Sequence, residues 1–205
     1  MFALSPANLE RTILSVASGG SSLGAELRTQ NSMVTSLDPL YKQPPEVVEQ
    51  LITRQLQRLE GLIVENSPEW VWSYHGGKPS LLASRKKTFD AFLSDYRLHY
   101  GSQYYRASSL PFLSTERTYD LCLCSHFLFL YSNLLDYDFH ITSIRSLLKV
   151  ANELRIYPIM TQALVQYPHL DTLRTELQEN GFRSRVVSVS YRLRRDSDHM
   201  LVVTQ

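Results

Sequence analysis

The 205-residue chain has only two cysteines, Cys122 and Cys124, set two apart in one apolar run. Side chains two apart on a strand share a face and do not readily bridge, so the pair points to a reducing, cytoplasmic compartment. A lone Cys-x-Cys pair is also poor ground for zinc. Charge of one sign is missing too: 21 Lys and Arg against 20 Asp and Glu leave a formal +1. That balance gives no electrostatic reason to expect a nucleic-acid partner or a membrane surface. The longest apolar stretch, residues 121–131, is broken by Ser125 and His126 and falls far short of the roughly 20 residues of a spanning helix. The opening Met-Phe-Ala-Leu-Ser-Pro-Ala-Asn lacks the basic region and apolar core of a signal peptide. Repeats and low-complexity tracts are absent. With 43% hydrophobic and 20% charged residues, the composition is that of an ordinary soluble domain.

Glycine is scarce as well, and its spacing excludes two nucleotide loops. Gly19, Gly20 and Gly24 do not make the G-x-G-x-x-G of a dinucleotide site. Gly19 and Gly24 have the glycine spacing of a P-loop, but Ala25 and Glu26 stand where its lysine and hydroxyl belong.

What is present is an alternation of short apolar runs and amphipathic stretches. Residues 12–17 read as a strand, the small cluster Ser18-Gly19-Gly20-Ser21-Ser22 as a tight loop, and residues 23–29 as a helix. Residues 32–37 form a second strand, stopped at Asp38-Pro39 because proline cannot donate to a ladder. This βαβ opening suits a ligand whose polar groups approach the backbone closely. Asp38, 19 residues after Gly19, is placed to accept hydrogen bonds from ribose hydroxyls. Pro44-Pro45 opens another region, with helices expected over residues 46–65 and 80–99 and Trp70, Trp72, Tyr74 and His75 between them. Residues 42–100 therefore read as a helical insertion or lid within one domain spanning 1–205. Strands follow at 103–108 and 119–125, a helix at 141–152, a strand at 154–159 and a helix at 169–180 closed by Gly181. Residues 185–192 and 199–204 read as a terminal hairpin.

Three stretches carry a family likeness: Ile13-Leu14-Ser15-Val16-Ala17-Ser18-Gly19-Gly20-Ser21-Ser22, Leu37-Asp38-Pro39, and Tyr119-Asp120-Leu121-Cys122-Leu123-Cys124-Ser125-His126-Phe127-Leu128-Phe129-Leu130-Tyr131. Through them the chain resembles class I S-adenosylmethionine-dependent methyltransferases, particularly a little-characterised bacterial branch. The resemblance covers nearly the whole chain and is loosest in the insertion. It implies an α/β, Rossmann-like fold with a seven-stranded, mostly parallel sheet of order 3-2-1-4-5-7-6. It implies S-adenosylmethionine as cofactor, with Ala17, Ser18, Gly19, Gly20 and Ser21 facing its methionine and ribose. Asp38 would take the ribose hydroxyls, Ser108, Ser109 and Leu110 the adenine, and Ser125 and His126 would sit beside the transferable methyl.

His126 is the candidate general base, since imidazole titrates near neutrality; the plain alternative is a structural histidine. Trp70, Trp72 and Tyr131 are candidate acceptor contacts, against a packing role. Asp136, Asp138 and His140 have a metal-like spacing, but carboxylates before a helix commonly cap it, and no metal is expected. The expected activity is methyl transfer to a small-molecule acceptor, with oligomeric state left open. Ser15, Ala17 and Ser21 stand where the family usually has an acid and two glycines, and Arg106-Ala107-Ser108 where it often has another acid. Those departures motivate the alternative, a degenerate methyltransferase fold that binds a partner without catalysis. An RNA or protein methyltransferase fits the neutral charge less well.

Overall fold

The computed structural model describes residues 1–30, 32–63, 69–113, 118–192 and 194–205. Seven strands form one sheet: β1 (Ile13–Val16), β2 (Val34–Leu37), β3 (Tyr105–Arg106), β4 (Tyr119–Ser125), β5 (Ala151–Tyr157), β6 (Arg183–Ser188) and β7 (His199–Thr204). Their order is β3-β2-β1-β4-β5-β7-β6, with β7 antiparallel to both neighbours and the other pairings parallel. This is the expected order. The central strands are apolar on both faces because both are covered by other elements. On one face Leu14, Val16, Cys122, Cys124, Leu154 and Ile156 pack with α6 (Tyr137–Val150) and α7 (Leu170–Glu179). On the other, Ile13, Leu121, Leu123 and Met200 meet Leu27 of α2 (Leu23–Arg28) and the segment around α1 (Pro6–Leu9). Cys122 and Cys124 are free, buried thiols.

Between β2 and β3 the chain forms α3 (Pro45–Leu62), the single turn α4 (Trp72–His75) and α5 (Lys78–His99). Gly76 (φ +70°) ends α4 in the left-handed conformation that glycine adopts without steric cost. The end of the first long helix expected near Glu65 lies outside the described residues. Helices α3 and α5 pack on each other, and a third core, built from Tyr41, Val48, Ile52, Phe92, Tyr96 and Tyr105, joins them to the β2 and β3 edge of the sheet. Of the described residues, no helix is long and apolar enough to cross a membrane.

Several boundaries differ from the sequence expectation. Helix α6 starts at Tyr137 because Asp136 caps it, its carboxylate accepting from Phe139 N at 2.8 Å. It ends at Val150, and Ala151 already belongs to β5, which replaces the expected helical end and late strand start. Strand β3 keeps only two residues, since it pairs with β2 alone at the sheet edge. Strand β6 stops at Ser188 rather than Arg192, the chain then turning off the sheet toward α4 and α5.

A partly buried cluster locks the inserted helices to this edge. The Arg28 guanidinium pairs with Asp95 of α5, Tyr105 Oη donates to the same carboxylate at 2.5 Å, and Arg28 also stacks on Tyr104 and Tyr105. Removing one partner of such a desolvated pair strands the other charge. Arg28→Met should therefore lower stability by about 3 kcal/mol in urea unfolding, whereas a loss below about 0.5 kcal/mol would show the cluster to be solvated.

Candidate functional site

Parallel sheets of this kind place ligands beyond the carboxyl ends of the strands, where the strand order reverses. Here that point lies between β1 and β4, and a cavity of about 370 Å³ opens beside it. Val16 and Ala17 line it from the end of β1, and Leu37, Asp38 and Pro39 from the end of β2. Ser108, Ser109, Leu110 and Leu113 come from the segment after β3, and His126, Phe127 and Tyr131 from the segment after β4. A wider depression of about 500 Å³, lined by Arg145, Lys149 and Phe182 among others, lies at the opposite ends of the strands and outside this geometry.

Asp38 organises the site. Its Oδ2 accepts from Gly19 N at 2.9 Å and its Oδ1 from Leu40 N at 2.8 Å. Each oxygen keeps a lone pair for a ligand. Burial raises the carboxyl above its ordinary range, and the two backbone donors oppose that rise. Tyr41, on the short helical turn after Asp38, donates to Gly19 O at 2.8 Å. The two residues thus grip both polar groups of the Gly19 backbone. Gly20 fits under the inserted helices: a Cβ there would meet Ile52 and Phe89 at 3.0 Å.

Local hydrogen bonds and one left-handed non-glycine residue set the loop geometry. Ala17 has φ +49°, a left-handed value that costs a non-glycine residue about 1 kcal/mol. Ser15 Oγ accepts from Ser18 Oγ at 2.7 Å, and Ser21 N donates to Ser18 O at 3.0 Å to close the turn.

His126 follows β4 with φ +53°, its N–H donating to Tyr157 O at 2.6 Å. Nδ1 shares a 2.8 Å hydrogen bond with Ser125 Oγ. Among the described residues Nε2 has no hydrogen-bond partner. Burial, then the Arg85 charge, push the imidazole down to about 4, so it is neutral at physiological pH. The segment after β4 is fixed from beneath by His140, fully buried on α6, whose Nε2 bonds Leu128 O at 3.0 Å while Nδ1 bonds Tyr167 Oη at 2.9 Å. His140 and Asp136 therefore have structural partners.

Of the expected site residues, Ala17, Asp38, Ser108, Ser109, Leu110, His126 and Tyr131 line the cavity together. Ser18, Gly19, Gly20 and Ser21 stand in the adjoining loop and Ser125 at the end of β4, none of them lining it. Trp70 and Trp72 lie elsewhere. Their rings stack at 5.7 Å, and Trp70 pairs with the terminal hairpin at Arg194, whose guanidinium sits over its ring and is salt-bridged to Glu69. Sequence reasoning missed Tyr41, Leu113 and Phe127. Only Tyr41, a large aromatic three residues after Asp38, left a usable signal.

No family model matches the chain. An uncharacterized protein of Methanocaldococcus jannaschii is 28% identical over 207 residues, covering 99% of this chain and 90% of that protein. Among solved structures, the methyltransferase domain of a bacterial CtHen1 superposes with TM-score 0.51 and 11% identity, covering 97% of this chain and 93% of its own. The N-methyltransferase NodS from Bradyrhizobium japonicum, solved with S-adenosyl-L-homocysteine, gives TM-score 0.51 at 12% identity over 97% and 82% of the two chains. Magnesium protoporphyrin IX methyltransferase from Synechocystis, also solved with that ligand, gives 0.50 at 16% identity over 97% and 76%. The chain has the fold of these methyltransferases.

Two expectations follow from the site. Ala17→Gly should raise stability by up to about 1 kcal/mol, read as a higher melting temperature; a loss would mean the left-handed conformation is not native. For His126, the unfolded imidazole titrates near 6.5 and the folded one near 4, so the unfolded chain binds the extra proton between those values. The stability is full above pH 6.5 and falls with acidification, by about 2 kcal/mol from this residue between pH 7.5 and 5. Urea midpoints should show the loss shrinking in His126→Asn; an unchanged loss would place the titration elsewhere.

Proposed function

We propose that the chain is an S-adenosylmethionine-dependent methyltransferase acting on a small-molecule acceptor. The observation that carries the reading is the Asp38 carboxylate lining, together with Ser108, Ser109 and Leu110, a cavity at the β1 and β4 switch point. A carboxylate with one lone pair left on each oxygen suits a vicinal diol. The apolar walls of Leu37, Leu110, Leu113 and Phe127 suit a flat base, and nothing in the loop is shaped for a pyrophosphate. The neighbours solved with S-adenosylhomocysteine support the same choice.

In this reading the loop of Ala17, Ser18, Gly19, Gly20 and Ser21 borders the methionine end of the cofactor, with Ser125 beside it. When bound, S-adenosylmethionine would supply an electrophilic methyl group on a sulfonium, with the neutral thioether as leaving group. The protein's task is alignment. A neutral His126 places no positive charge against that sulfonium, and its Nε2 takes the proton that the acceptor loses as it is methylated and, being a weak base, hands it on to water. Tyr131 borders the acceptor from the cavity side of His126, while Trp70 and Trp72, which stand outside the cavity, are the proposed contacts on its far side. Residues 1–205 act as one domain, with residues 42–100 as its lid, in the cytoplasm. Membership of a bacterial branch belongs to the same proposal.

The second reading, a fold that binds a partner without catalysis, is favoured by Ser15, Ala17 and Ser21 in the loop. Calorimetric titration separates the two. S-adenosylhomocysteine should bind while NAD and ATP do not. Asp38→Asn should weaken it about tenfold and Asp38→Ala about a hundredfold, the loss of one or two charge-assisted hydrogen bonds. Because burial raises the Asp38 carboxyl, affinity should fall on acidification before the ordinary carboxylate range is reached. No binding to a folded sample would transfer the weight to the partner-binding reading.

A further inference from the structure

Helix α5 turns an apolar stripe inward through Leu81, Phe89, Phe92 and Tyr96, and Arg85 occupies that stripe between Leu81 and Phe89. Arg85 is partly buried, and its Nη2 donates to Tyr191 Oη at 3.1 Å. No carboxylate among the described residues lies within 4 Å of it. Asp198, whose charge reaches Tyr157, is engaged by Arg192 at 3.4 Å and His199 at 2.8 Å.

Rings surround Tyr191, the residue that Arg85 touches. Tyr191 contacts Tyr74 at 5.5 Å, Tyr157 at 5.7 Å, His75 at 6.1 Å and His126 at 6.2 Å between centroids. Arg85 helps to hold both imidazoles in the neutral state. Tyr74 is 49% exposed, so the cluster reaches the surface. None of Arg85, Tyr157, Tyr191 or Tyr74 lines the cavity at Asp38, yet His126 belongs to both groups. His126 therefore stands between the cofactor cavity and this second, aromatic site. A partly buried arginine with no carboxylate beside it leaves its planar donor fork open, and that fork is matched by a carboxylate or a phosphate.

We infer that Arg85 is the anion anchor of the acceptor site, and that the acceptor is a small ring-bearing molecule carrying a carboxylate or phosphate. Its acid group pairs with Arg85, its ring packs on Tyr191 and Tyr74, and its nucleophilic atom turns toward His126. The assignment of this ligand as methyl acceptor rests on the methyl-transfer reading, but the anion site itself does not.

The test uses 4-hydroxybenzoate, phenyl phosphate and the neutral 4-hydroxybenzyl alcohol, titrated by NMR into the full chain with and without S-adenosylhomocysteine. At least one of the two anions should bind tenfold or more tighter than the alcohol, and their ranking separates a carboxylate from a phosphate acceptor. Arg85→Met should abolish the preference and Arg85→Lys should keep part of it, with melting temperature confirming the fold. The affinity of Arg85→Met for S-adenosylhomocysteine should stay within twofold of wild type. Equal binding of anions and alcohol, or an undiminished preference in Arg85→Met, overturns the proposal. It also falls if Arg85→Met loses S-adenosylhomocysteine but keeps 5′-methylthioadenosine, since Arg85 would then hold the cofactor's own carboxylate. An intact anion preference in a chain that binds no S-adenosylhomocysteine overturns the methyl-transfer reading and leaves the anion site standing.

Discussion

The Asp38 carboxylate ties together the two chain segments on which the site is built. One oxygen receives the N–H of Gly19 from the loop after β1, and the other the N–H of Leu40 from the turn after β2. Backbone N–H groups in a part-buried loop need acceptors, and a charged acceptor makes the stronger bond. Tyr41 extends the link, because its hydroxyl holds Gly19 O while its ring lies in the core with Phe92, Tyr96 and Tyr105. The glycine loop is thereby coupled to the inserted helices, and Gly20 leaves no spare room beneath Ile52 and Phe89. A disturbance of α5 is felt at the loop through these contacts.

The same constraint explains how the loop tolerates unusual residues. Ala17 adopts a left-handed conformation because the surrounding bonds fix the chain on both sides, with Ser18 N donating to Leu37 O at 3.2 Å. Ser15 offers a hydroxyl that supports Ser18. The local rule is broken and the geometry survives. Across the cavity, the segment after β4 is set by a different device, the fully buried His140 between Leu128 and Tyr167. Two rigid edges thus face one another, one carrying Asp38 and the other His126.

Much of this was legible in the sequence. Tyr119–Ser125 and His199–Thr204 were readable to the residue, since the apolar runs 121–124 and 200–203 within them are flanked by polar residues and have few alternatives as strands. The switch from α6 to β5 was not, because Leu147, Leu148 and Val150 continue into Ala151 without a glycine or proline between helix and strand. Asp38 and Ser108–Leu110 were found from spacing and likeness, but their partners were not: Tyr41 acts through a contact made only after β2 folds back on β1. Trp70 and Trp72 looked like ligand contacts by composition, and their place against Arg194 depends on a hairpin more than 100 residues away. Arg85 was recoverable from periodicity alone, as a charge on the stripe that Leu81, Phe89 and Phe92 define.

The most direct measurement is a crystal structure of the chain grown with S-adenosylhomocysteine. The ribose hydroxyls should lie within hydrogen-bonding distance of the Asp38 carboxylate, with the adenine against Ser108–Leu110 and the sulfur toward His126. An adenosyl group bound elsewhere, or bound here without touching Asp38, would contradict the assignment of this cavity.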